Sequence, residues 1–442
     1  MTGNLVVLLC SSVLITLSAV LFWIRLRRLT VVDIYILFVG IYFGCYSFIK
    51  ALLQAYSDMQ PLPAVFVFLH IIIIIAILWG FTAFLPEKYH NAFKISSLYE
   101  YWSRVNTNAI LLVLAFILTV KLIGWWQYGI ISHVNIGQLE AVGKPLPYWF
   151  SCIHGMLLDL IFCVFLALAA KILASTKQVR RWWWVAMALV FVMASTVGRR
   201  PLFNMILIGM VLYLVVYKKG VLQFSYLKWT LVAGLSLLIF SNLFQTYRNL
   251  IQWPPAGSWA QLKNPLAAAL DTRATIRNLT IRPSQWGFNY FILKNQLDGR
   301  DRDEPAGAIT WIGLKNSIPR VFWPGKKVVS LNDLVAARYG VDIIDYSKNN
   351  YGFLLADYGY LSLVILPLML AVVFFTMGRI ILSTKEYPLL LWLSTGLILN
   401  YLINIEQNIA DIFILYRNLA LLFISYILCY SFYNLGRLLN TR

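Results

Sequence analysis

Arginine is the residue type in this chain whose number and spacing could do chemistry. From Gln245 to Tyr351, about a quarter of the 442 residues, the sequence holds Arg248, Lys263, Arg273, Arg277, Arg282, Lys294, Arg300, Arg302, Lys315, Arg320, Lys326, Lys327, Arg338 and Lys348. A second basic feature, Gly198-Arg199-Arg200-Pro201, is a tight turn between two apolar stretches. Guanidinium groups stay charged and form forked hydrogen bonds to phosphate oxygens. Several together can therefore hold a pyrophosphate and stabilise the charge that develops on it as it leaves, without a metal ion. For the Arg199–Arg200 turn the alternative is a pair of interfacial arginines reaching lipid phosphates.

Other chemistries have little to build on. Cys10, Cys45, Cys152, Cys163 and Cys429 fall inside apolar stretches at scattered spacing, which argues against a disulfide framework or a zinc site. His70, His90, His133 and His154 show no ligand spacing, and there is no Walker loop or dinucleotide-binding glycine run, so no metal, nucleotide or other cofactor is expected. Pyrophosphate leaves readily once its charge is met, which makes a general acid dispensable. Asp333, Asp342, Asp345, Asp357 and Glu406 could supply a general base, and each could equally be a helix cap or an ion-pair partner of a loop arginine.

What must position these cations is a membrane domain. Hydrophobic residues make up 60% of the chain, charged ones 12%, and the mean hydropathy is +0.73. Apolar windows of roughly 17–25 residues, long enough to cross a bilayer as helices, recur with short polar breaks. The pattern predicts an all-α polytopic membrane protein with about eleven transmembrane helices. They fall near 4–23, 31–48, 64–84, 108–126, 148–170, 182–197, 202–217, 229–244, 353–377, 389–405 and 410–432. Three parts follow along the chain: an N-terminal bundle over 1–244, a large loop over 245–351 and a C-terminal bundle over 352–442.

The first apolar stretch has no basic residues before it and Arg25, Arg27 and Arg28 directly after it. It is expected to stay in the membrane with the N-terminus outside. Alternating from there, Lys88, Lys94, Arg104, Lys171, Lys177, Arg180, Arg181, Lys218, Lys219, Lys228, Arg379, Lys385, Arg437 and Arg442 fall in cytoplasmic breaks, as the positive-inside rule asks, and the C-terminus lies inside. Part of the formal +19 charge is thereby a topology signal that needs no nucleic acid partner. Positive-inside counting does not govern a long loop, so the cations of 245–351, on the outer side by this parity, need another reason.

The loop itself reads as a helical cap. Asn264-Pro265 opens one helix, through Leu279, that sets Arg273 and Arg277 on one face. A second, aromatic helix runs from Ser284 to about Gln296 and is expected at headgroup level. A third lies between Ser330 as N-cap and Gly340 as terminator, with Asp333 at the capping-box position, and carries Arg338. Gly299 to Gly307, with its alternating charges, reads as a solvated tip.

At this point the chain resembles the Wzy-type oligosaccharide repeat-unit polymerases of bacterial O-antigen, capsule and exopolysaccharide. The resemblance rests on four features together: many helices, the Gly198-Arg199-Arg200 turn before an apolar helix, a long outer loop and two strings near its end. The strings are Ser317-Ile318-Pro319-Arg320-Val321-Phe322-Trp323-Pro324-Gly325-Lys326 and Asn349-Asn350-Tyr351-Gly352-Phe353-Leu354-Leu355-Ala356-Asp357-Tyr358-Gly359-Tyr360. The resemblance implies a multi-spanning, lipid-linked-donor glycosyltransferase of the bacterial inner membrane, with its active site facing the periplasm. In such enzymes a growing glycan on undecaprenyl pyrophosphate is passed to the non-reducing end of a new lipid-linked repeat, beside a flippase and a chain-length regulator. By the resemblance Arg199, Arg200, Arg320 and Asp357 would be catalytic and Lys326 would bind substrate. Arg248, Arg273, Arg277 and Arg338 join the pyrophosphate-binding set on physical grounds, as loop cations.

Two other readings share parts of this pattern. An O-antigen ligase has the same architecture and donor but is expected to use a loop histidine, and 245–351 contains none. A flippase or transporter would carry repeats, interrupted helices and intramembrane charges lining a path, whereas Asp33, Lys121, Asp159, Glu406 and Arg417 show no repeat. Sugar identity and linkage are not written in the sequence.

Overall fold

The computed structural model describes residues 3–130, 147–197, 199–217, 284–299, 305–319, 322–323, 325–327, 329–339, 349–405 and 407–440. Along the chain the helices are α1 (Gly3–Arg25), α2 (Val31–Leu52), α3 (Pro61–Phe84), α4 (Glu87–Ala92), α5 (Ile95–Ser103), α6 (Thr107–Tyr128), α7 (Tyr148–Ala174), α8 (Lys177–Ser195) and α9 (Arg199–Leu212). After the central gap come α10 (Gln285–Leu297), α11 (Ala308–Ser317), α12 (Leu331–Tyr339), α13 (Asn350–Tyr358), α14 (Ser362–Ser383), α15 (Pro388–Ile403) and α16 (Ile409–Asn440). Among the described residues there is no strand, and Thr30 and Lys94 make an isolated bridge.

The chain is a polytopic membrane protein, all-helical among the described residues. Among the described residues, seven helical segments are long and apolar enough to cross a bilayer: α1, α2, α3, α6, most of α7, α13 with α14, and the first part of α16. Of the other expected spans, α15 and residues 200–216 form shorter apolar helices, and α8 is helical but opens on Lys177, Arg180 and Arg181. The expected span 229–244 and the helix expected from Asn264 lie outside the described residues.

The contacts divide the chain into two compact units, Met1–Lys94 with Leu279–Arg442, and Ile95–Asn278. This division by packing cuts across the three parts read in chain order. It assigns the described loop helices α10–α12 to the unit that holds the first three spans.

In the first unit α1 packs on α2 and α3, and every residue of α15 from Leu390 to Ile403 is buried, so α15 is its central rod. The ends of the unit differ in chemistry. At the Arg25 end, Thr30 and Asp33 form a capping box that starts α2, and Arg25 Nη1 donates to Thr82 Oγ1 at 2.9 Å and reaches Asp33 Oδ1 at 3.5 Å. Val31 N donates to Phe93 O, while the Tyr89 ring lies 5.5 Å from that of Phe375 in α14. Arg25, Lys88, Lys94 and Arg379 thus share one end.

At the Gly3 end, Tyr56 N donates to Asn4 Oδ1 at 2.8 Å, the Tyr56 hydroxyl bonds Ser284 Oγ, and Gln60 N donates to Tyr290 OH at 2.8 Å. Burial pushes the Tyr56 phenol up, against its bond to Ser284, and keeps it neutral. Helix α10 therefore starts where α1 starts. It does not lie on a surface: Gln285 to Tyr290 are all buried, Trp286 stacks on Phe68 of α3, and Phe288 meets Phe353 of α13. Its aromatic residues Trp286, Phe288 and Tyr290 are packed inside the unit.

The expected span 353–377 falls inside one apolar segment, α13 with α14, which is interrupted at Gly359. There the backbone takes φ 56°, a conformation L-residues disfavour, and a single 3-10 turn leads into α14. His70 of α3 bonds the Tyr351 hydroxyl through Nδ1, with the Tyr360 ring edge-on at 5.9 Å, which fixes α13 to α3 on both sides of the break.

In the second unit α7 packs against α6, α8 and α9, with Ile161 to Leu168 buried throughout. Gly129, at φ 64°, ends α6 in a left-handed cap. Helix α9 continues through a π-helical stretch, Tyr213–Tyr217.

Candidate functional site

The two strings that carry the resemblance meet on α11. A helix leaves its first N–H groups and last carbonyls unpaired, with partial positive charge at the start and negative at the end. At the start of α11 the buried Asp357 carboxylate accepts from Gly307 N at 3.1 Å, Ile309 N at 3.0 Å, Thr310 N at 2.8 Å and Thr310 Oγ1 at 2.6 Å. At its end the buried Lys326 ammonium donates to the carbonyls of Lys315 at 3.2 Å, Asn316 at 2.8 Å and Ile318. Arg417 Nη1 of α16 adds a bond to Ser317 O at 3.3 Å. Each charge has the sign its helix end asks for. Asp357 and Lys326 thus hold α11, and with it the aim of Ile318-Pro319, the segment that leads into Arg320.

Arg338 is buried in the last turn of α12. Its neighbour Tyr339 donates to Ala356 O at 3.1 Å and accepts from Gln296 Nε2 at 3.0 Å, which ties α12 to α10 and α13. Arg248, Arg273, Arg277 and Arg320 lie outside the described residues, as do Asp342, Asp345 and Glu406. Asp333, in the first turn of α12, donates its backbone N–H to Ser330 Oγ at 3.3 Å, the cap expected from the sequence.

In the second unit Arg199 and Arg200 open α9, and the Arg200 side chain is exposed. Two cations at the positive end of a helix repel its dipole unless an anion joins them. Sequence reasoning left out a third cation there. Lys121 of α6 is half-buried and donates to Thr196 Oγ1 at 2.7 Å, four residues before Arg200. An ammonium in a membrane helix with a neutral partner is a functional marker, but its pairing with residue 196 was not visible along the chain.

A second missed feature is a cleft of ≈ 30 Å³ in the first unit, where the Asn349 cap of α13 meets the end of α15. It is lined by Tyr35 and Phe43 of α2, by Asn349, Asn350 and Tyr351, by Leu366 and Leu370, and by Tyr401, Leu402, Asn404, Ile405 and Gln407. The crowding of Asn400, Asn404, Gln407 and Asn408 at the end of an apolar helix was the signal that could have found it.

What the fold defines is a class: a polytopic membrane protein whose loop helices are built into its membrane unit. Comparison with protein-family models, with curated proteins and with solved structures found no match to this chain.

Proposed function

We propose that this protein is a glycosyltransferase that lengthens a polysaccharide at the outer face of a bacterial inner membrane. Its donor would be a growing glycan on undecaprenyl pyrophosphate and its acceptor the non-reducing end of a new lipid-linked repeat. The acceptor hydroxyl oxygen attacks the anomeric carbon, the bond to the pyrophosphate oxygen breaks with its electron pair, and the hydroxyl proton passes to a carboxylate or water. The charge on the leaving pyrophosphate is met by arginine, for which Arg199, Arg200, Arg248, Arg273, Arg277 and Arg320 are the candidates. Lys121 joins the pair in the turn, while Asp357 and Lys326 act by positioning α11.

The observation that carries this reading is the two-ended chemistry of the first unit. Arg25, Lys88, Lys94 and Arg379 gather at one end, which the positive-inside rule assigns to the cytoplasm. The loop helix α10 starts at the other end, beside Asn4 and Tyr56. A loop rich in arginine on the side away from nucleotides fits an anionic, lipid-held substrate. The test is extension of a radiolabelled undecaprenyl-pyrophosphate-linked repeat by purified protein in nanodiscs, with chelator present and no nucleotide. A ladder of longer products is expected. An absolute need for ATP or an ion gradient would remove the reading, and a need for a divalent metal would remove the arginine-only account of the leaving group.

One observation favours a second reading, translocation of the lipid-linked glycan. Helices α13 and α14 are broken at Gly359, α15 stops at Ile403 and α2 contains a π-helical stretch at Gly40–Cys45, the kind of interruption found around transport sites. Movement of a fluorescent lipid-linked repeat across vesicles without any lengthening would select it.

A further inference from the structure

Backbone that leaves the regular helix at membrane depth is tolerated where it is buried in protein or lines a polar cavity. In the first unit two such departures and the capped start of α13 converge on the same cleft. Phe43 belongs to the π-helical stretch of α2, Asn349 and Asn350 begin the broken α13, and Asn404 and Gln407 belong to the non-helical link after α15.

The polar groups there are incompletely used. Asn350 Nδ2 donates to Tyr401 OH at 3.0 Å, and Asn349 is fully engaged, donating to Asn289 Oδ1 at 3.1 Å and accepting from Gly352 N at 2.7 Å. The Oδ1 atoms of Asn350 and Asn404 are buried and have no hydrogen-bond partner among the described residues. Leaving a buried acceptor unpaired is unfavourable, so two at one cleft favour a ligand that brings hydrogen-bond donors. Among the described lining residues there is no charged side chain; four amides line it together with the rings of Tyr35, Phe43, Tyr351 and Tyr401 and four aliphatic side chains. That chemistry suits hydroxyl groups on a neutral ring better than a phosphate.

We propose that this cleft takes a neutral, hydroxyl-bearing ligand, one edge of the saccharide part of the substrate, with Asn350 and Asn404 accepting from its hydroxyls. The identity of the ligand rests on the function proposed above; the preference for hydrogen-bond donors does not. The cleft admits only a hydroxyl or hydroxymethyl edge, so the rest of the ring lies toward its open side.

The test uses the full chain in nanodiscs, with glucose, galactose, mannose and N-acetylglucosamine as probes, sodium chloride as control, and Asn350→Leu and Asn404→Leu as variants. At least one sugar is expected to raise the Tm of the parent protein, and the shift should disappear in Asn404→Leu. Without sugar Asn404→Leu should melt at or above the parent temperature, because it removes an unpaired buried acceptor, whereas Asn350→Leu also gives up its bond to Tyr401 and should melt lower. In the extension assay they should raise KM for the lipid-linked repeat about tenfold, the loss of one good hydrogen bond, with kcat less affected. No sugar-dependent shift, an equal shift in both variants, or stabilisation by sodium alone would overturn the proposal. Extension unaffected by either variant would overturn it too while leaving the transferase reading intact. Sugar binding lost in Asn404→Leu, with no extension by the parent protein, would keep the cleft and remove the transferase.

Discussion

Asp357 and Lys326, chosen for their chemistry, both make hydrogen bonds to the ends of another helix. Both carry charges that could serve a pyrophosphate substrate, and both have those charges directed at the ends of α11. Replacing Asp357 by Ala should leave several N–H groups buried without an acceptor and lower stability by about 3 kcal/mol, read as a drop in Tm of purified protein. A variant with normal Tm and lost activity would instead return Asp357 to the reacting centre. The turn arginines make the opposite case. Arg200→Lys keeps the charge but loses the forked donors, and at a pyrophosphate clamp this removes about 2–4 kcal/mol, roughly 30- to 1000-fold in rate. A lipid anchor tolerates lysine, so full extension activity in Arg199→Lys, Arg200→Lys and the double variant would assign the turn to anchoring. Sequence could nominate these residues because type is local information. It could not separate their roles, because Asp357 lies 47 to 50 positions beyond the N–H groups it accepts from.

Elements were legible where their signals are local. Ser284 caps α10 and Ser330 opens α12, as their side-chain chemistry asks, and the long apolar runs became the membrane helices. Helix α11 escaped notice because its caps come from other parts of the chain. The break between α13 and α14 escaped because hydropathy stays high across Gly359, while the backbone there does not stay helical. The buried position of α10 was equally hidden: a run of aromatics reads the same at a lipid interface and in a core. It depends on one close approach. A Cβ on Gly352 would stand 2.5 Å from Asn289 Oδ1 and 2.5 Å from a Phe288 ring carbon, so α13 lies against α10 only with glycine there. Gly352→Ala should cost about 1–3 kcal/mol of stability as the helices are pushed apart. Unchanged melting would mean that α10 and α13 are not packed as described.

At the scale of the whole chain, what was readable was a polytopic, basic membrane protein, and what was not was its division into two units, one of which is inserted in the sequence of the other. Hydropathy and charge report where each segment sits relative to a bilayer, not which segments pack together. Every functional statement made above depends on the ends of the first unit facing opposite sides of that bilayer. The direct measurement is thiol accessibility in intact cells, with native cysteines replaced by alanine and single cysteines at Asp58 and Asp298 on the loop side and Lys88 at the basic end. All three positions are exposed. The prediction is that a membrane-impermeant maleimide labels Asp58→Cys and Asp298→Cys in intact cells and labels Lys88→Cys only after the membrane is opened. Labelling of Lys88→Cys in intact cells, with the other two protected, would invert the protein and place its loop helices beside the cytoplasm, contradicting the outer-face transferase.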